Sequence, residues 1–130
     1  MRPNQLKSLQ AKSRNLIVRV IRPETHEDAF VAIVTSQSSM ALNRVVTIKF
    51  NRDGSINARC TCQWAEHGGI ACCHVIAALS KLAARKHRKL SFWLTPEEAL
   101  RQKQSVFQLR GGGFADKIWI TSRRADKQIA

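Results

Sequence analysis

Residues 60–74 read CTCQWAEHGGIACCH and contain all four cysteines of the chain, together with two of its four histidines. Cys60 and Cys62 close the run SINARCTC (55–62), which reads as a strand returning from a hairpin turn at NRDG (51–54). Side chains on a strand alternate between faces, so two cysteines one residue apart point to the same side. Cys72 and His74 open a run of helical period. On a regular helix they would stand about 200° apart, so they converge only if Cys72 sits at or just before the helix start and His74 lies in its first turn. Gly68 and Gly69 supply the reversal that returns the chain to the strand. The stretch therefore predicts a strand, a loop and a helix start gathered around one point.

Four sulfur and imidazole donors spaced C-x-C, nine residues, C-x-H suit one tetrahedral Zn²⁺. Protein would fill every coordination position, as in a structural rather than a catalytic site. A redox pair, from C-x-C or the vicinal Cys72 and Cys73, would need a thiolate stabilised by the nearby positive charge. Two disulfides would need an oxidising compartment, to which nothing here points. Catalytic zinc would need an open position and a general base, for which Glu66 and His67 are the neighbouring candidates. Both read more simply as solvated loop residues, with His67 as a substitute ligand the alternative. Trp64 reads as an apolar lid on the site.

Working outward, VVTIKF (45–50) precedes the turn and pairs with 55–62. LIVRVIR (16–22) and AFVAIVTS (29–36) form an earlier antiparallel pair across PETHED. Downstream, CHVIAALSKLAARKHRKL (73–90) places Val75, Ile76, Leu79, Leu82 and Ala83 on one helical stripe. Lys81, Arg85 and Arg88 follow at i, i+4 and i+7 on the other face. Thr95, Pro96, Glu97 and Glu98 mark the N-cap and first turn of a short second helix of roughly two or three turns. The tail reads as a hairpin around Gly111 to Gly113, with Ile118 and Ile120 on one face and Trp119 on the other. The expected fold is α+β: a small, mainly antiparallel sheet feeding a zinc-anchored helix, then a short helix and a C-terminal hairpin. Its segments are an N-terminal strand extension (1–44), the zinc module (45–90), and the short helix, hairpin and basic tail (91–130).

The order hairpin, C-T-C, Gly-rich loop, C-C-H-V-I-A-A-L resembles the SWIM zinc finger, whose pattern is C-x-C-x(n)-C-x-H followed by an apolar helix. The resemblance covers about residues 45 to 85. It implies a ββα zinc module that binds DNA or proteins, and it carries ligand roles to Cys60, Cys62, Cys72 and His74. Such fingers occur in chromatin-remodelling-type ATPases of bacteria and archaea, in Mutator-type plant transposases, and in some recombination and ubiquitin-ligase proteins. Cys73 departs from the pattern, since family members commonly carry a polar or basic residue there.

Charge narrows the class of partner. Twenty-two Lys plus Arg against nine Asp plus Glu give a formal charge of +13, and no acid occurs from Gly68 to Leu94. Such an excess favours polyanions. Lys81, Arg85 and Arg88, extended by Arg59, Arg123 and Arg124, are the candidate nucleic-acid contacts. The helix that carries Lys81, Arg85 and Arg88 has no Asn or Gln for reading adenine, so backbone contact to DNA is expected. RNA is the alternative if Phe92, Trp93 and Trp119 stack on bases; a protein adaptor in a DNA-processing complex is another. No catalytic constellation or phosphate-binding loop is visible, so no enzymatic activity is expected. No apolar run is long enough to span a bilayer and no secretory signal is evident, which points to an intracellular chain, cytoplasmic in a prokaryote or nuclear in a eukaryote. The acid-free residues 1–23 share their composition with transit peptides, but Leu16 to Arg22 reads as a strand of the fold.

Overall fold

Alternation of apolar and polar residues builds one seven-stranded sheet in the computed structural model, which describes residues 3–21, 29–36, 43–61, 72–110 and 118–125. The elements run α1 (Pro3–Ser13), β1 (Leu16–Ile21), β2 (Ala29–Ser36), β3 (Asn43–Phe50), β4 (Ser55–Cys60), α2 (Cys73–Arg85), β5 (Arg88–Trp93), α3 (Pro96–Leu100), β6 (Ser105–Arg110) and β7 (Ile118–Arg124). Their order across the sheet is β1-β2-β3-β4-β6-β7-β5. Every pairing is antiparallel except β4 with β6, where Ser55, Ile56 and Asn57 lie beside Gln108, Leu109 and Arg110. The α+β expectation holds, and the sheet runs unbroken through all three sequence segments.

One sheet face makes the core. Val34, Val46, Ile48, Ile56, Leu109, Ile118 and Ile120 are buried, and the register sets Ile48 opposite Ala58 and Ile56 beside Leu109. Phe30 and Phe50 meet edge to face with ring centres 5.7 Å apart, a favoured aromatic geometry. Helix α2 fills the concave side and packs against β1 to β5, including both edge strands. A sheet whose two edges touch one helix must curl around it, as the accumulated twist of seven strands allows. Val75, Ile76, Leu79 and Leu82 are buried as their stripe predicts. Ala77 and Ala78 are buried too, where α1 packs against α2 and adds Leu6 to the core.

Three expectations need correction. Residues 3–13 form a helix ahead of β1, an element that the strand-extension reading of 1–44 does not include. The helix read over 73–90 ends at Arg85; Lys86 caps it, His87 takes a left-handed φ of 57°, and β5 begins at Arg88. Non-local pairing with β7 overrides the helix propensity of that basic run, and inward-facing Leu90 and Phe92 supply the strand period. The helix after Thr95 is capped as expected, with Thr95 Oγ1 accepting the Glu98 N–H at 3.3 Å, but it spans only five residues. It lies against β5 and β7 and buries Ala99. Trp93 Nε1 donates to buried Thr121 Oγ1 at 2.9 Å on the face of that strand pair away from α2.

Candidate metal centre

The β3–β4 hairpin fixes the first ligand. Its turn is tied by Asp53, whose Oδ1 accepts the Ser55 hydroxyl at 2.6 Å and the Ser55 N–H at 2.9 Å, while Gly54 holds a φ of 85° that suits glycine. Those two bonds, the hydroxyl's first, hold the Asp53 carboxyl below the usual carboxylate range. From this turn the register places Cys60 opposite Val46, on the face of Ala58 and Ile56. Pairing persists one residue further, where Thr61 N–H donates to the Val45 carbonyl at 3.2 Å and Thr61 Oγ1 accepts the Val45 N–H at 3.1 Å. Cys60 thus sits at a strand end held to β3 by the pairing on either side of it in the chain.

The other ligands come from the start of α2. Cys72 is its N-cap, with extended φ and ψ of −78° and 166°, and its Sγ accepts the Val75 N–H at 3.4 Å. This is the placement required for convergence, with His74 in the first turn. The helix N-terminus and its N–H favour negative charge on that sulfur. Cys60 Sγ, Cys72 Sγ and a ring nitrogen of His74 lie within 4.8 Å of one another. Ligand atoms on a tetrahedral zinc sit roughly 3.5–3.8 Å apart, from bond lengths of about 2.0–2.3 Å. The cluster therefore needs only a small contraction around the ion. Two thiolates and an imidazole suit zinc and not the oxygen-loving cations. Cys62 lies outside the described residues, as do Trp64, Glu66, His67, Gly68 and Gly69.

Cys73 is half-buried and stands outside this trio, with its Sγ 4.0 Å from His74 Nδ1. Cys72, the residue preceding the helix, is the one aimed at Cys60.

A strand hairpin and a helix start clamped by Cys and His define a zinc-finger module that binds a structural Zn²⁺. Residues 45–83 match the family model of the SWIM zinc finger, a span that takes in nearly all of β3, β4 and α2. No curated protein and no solved structure matches the chain.

The candidate nucleic-acid contacts fall in two places. Arg59 lies beside Cys60, opposite Thr47, exposed on the sheet face away from the metal. Lys81 and Arg85 are exposed on α2. Arg88 stands on β5, where its Nε donates to Ser122 Oγ at 2.9 Å and its Nη2 to the Ser122 carbonyl at 2.8 Å. The β5–β7 register sets Arg88 opposite Arg124 and Lys89 opposite Arg123. Arg85, Lys86, Arg88 and Arg124 thereby stand together where α2 ends and β5 begins, with Lys89 and Arg123 beside them on the opposite face of the strand pair. Lys89 comes to lie opposite Arg123 because residues 88–93 pair with β7 as a strand instead of continuing the helix read over 73–90. Phe92 is 6% exposed and belongs to the core, so it offers no stacking surface.

Proposed function

We propose that the chain is a non-catalytic zinc-stabilised module that binds the backbone of duplex DNA through this basic corner. The gathering of six cations from three elements at one end of α2 carries the reading. The described acids, Asp53, Glu97 and Glu98, lie in the β3–β4 turn and on α3. Cations at a helix C-terminus are also favoured by its dipole, which accounts for Arg85 and Lys86 but not for four more on adjoining strands. The zinc lies at the opposite end of a helix about 20 Å long, so it holds the surface in shape without touching the ligand. Core burial of Phe92 removes one of the three aromatics that could stack on unpaired bases, and leaves half-buried Trp93 and Trp119 paired across β5 and β7.

The test reverses charge at exposed positions. The zinc-loaded triple variant Arg85→Glu, Lys86→Glu, Arg124→Glu should bind a duplex more weakly, and the slope of log K against log salt should shrink by roughly 2 to 3, at about 0.9 for each phosphate no longer neutralised. Unchanged affinity in a variant that retains its zinc rejects the assignment.

A further inference from the structure

Among the described residues, the curled sheet does not close. Its edge strands, β1 and β5, both border a cleft of about 660 Å³ floored by α2. Three consecutive residues of each strand line it: Leu16, Ile17 and Val18 on one side, Arg88, Lys89 and Leu90 on the other. Consecutive residues of a strand point to opposite faces, so it is the strand edges, not one face of each, that the cleft meets. An edge presents alternating N–H donors and C=O acceptors, a template for another strand. The floor is low, since Ser80 and Ala84 are small and exposed there.

We propose that this seam takes an extended acidic peptide as an added strand, bridging β1 and β5. The backbone chemistry selects a peptide: carbonyls on the edges repel a phosphodiester and accept an amide N–H. Charge selects an acidic one. Arg14, Lys81, Arg88 and Lys89 line the cleft, with no carboxylate among the lining residues. Arg88 is held in place by Ser122 through two of its five N–H groups, which leaves three for a ligand. Half-buried Leu16, Val18 and Leu90 along the walls ask for apolar side chains at alternate peptide positions. The cleft shares Arg88 and Lys89 with the basic corner, so the acidic peptide and duplex DNA compete for those two cations.

The probe is a labelled, end-blocked octapeptide of alternating valine and glutamate, titrated by anisotropy into the zinc-loaded chain. Binding should fall at least about tenfold with the valine–lysine counterpart, with N-methylation of the central amides, and with Ser80→Trp, which fills the floor without changing charge. Amides of residues 16–18 and 88–90 should exchange more slowly with peptide bound. Duplex affinity of Ser80→Trp should stay unchanged, because Ser80 lies on the cleft floor and not among the corner's cations; Ala84→Leu, a smaller filling, replaces Ser80→Trp if the latter loses zinc. Equal binding of the N-methylated peptide, or no binding at all, overturns the proposal. So does a single-stranded oligonucleotide bound in its place and lost in Ser80→Trp, or a dimer of the chain that Ser80→Trp dissociates.

Discussion

Cys72 Sγ accepts the Val75 N–H and faces Cys60 and His74, so one atom ends a helix and holds a metal. Replacing it should cost both. Cys72→Ala should lose zinc and melt the start of α2, whereas Cys73→Ser should keep one zinc per chain and near-normal stability; metal content and far-UV circular dichroism on both variants decide. The sequence made Cys72 legible because strand and helix periods left only one geometry in which C-x-C and C-x-H converge. It could not show that Cys73 would lie beside His74, since that depends on the side-chain direction of the first turn. His87 is a second residue with a clear cost. A non-glycine at a φ of 57° bears strain that glycine avoids, so His87→Gly should raise stability by up to about 1 kcal/mol in a urea titration. Unchanged or lowered stability would mean that the imidazole makes up for the strain.

Among the elements, α2 supplies the largest apolar contribution, and its truncation should be felt most. Leu79 is buried between the sheet and the rest of the core, so Leu79→Ala should destabilise by about 2–5 kcal/mol; a loss below about 1 kcal/mol would contradict its packing. The stripe that predicts this burial was plain in sequence, while α1 was not. Its inward signal amounts to Leu6 and Leu9 amid polar residues, too weak a period to reveal a helix until α2 is there to receive it. The β3–β4 turn carries a pH signature. Folding holds the Asp53 carboxyl below its usual range through the Ser55 bonds, so ionised Asp53 favours the fold above about pH 4, and that contribution disappears as pH falls through the folded value. Melting temperature between about pH 5 and 3 should fall less steeply in Asp53→Asn, and identical slopes would assign the acid sensitivity elsewhere.

For the whole molecule, zinc is the clamp between sheet and helix, and structural zinc contributes on the order of 10–16 kcal/mol in small fingers. This chain has a larger core, so chelation should loosen α2 and the end of β4 while leaving pairing in β1–β2 and β6–β7; amide exchange with and without a strong chelator would show it, and uniform protection would deny the clamp. Among the described residues, no helix is long and apolar enough to cross a membrane. The sequence revealed the strands on either side of the zinc but not their order, because the parallel pairing of Ser55 with Gln108 joins residues about fifty positions apart and leaves no local mark. That pairing has a kinetic consequence. Hairpins β1–β2, β2–β3, β3–β4 and β6–β7 join near neighbours and can form early, whereas β4 and β6 must wait until the intervening helix and strand are placed and a long loop has closed. The zipper between these two strands is therefore expected to close late in folding, and a chain stalled before it would hold two half-sheets with raw edges, a species prone to exchange strands with a neighbour.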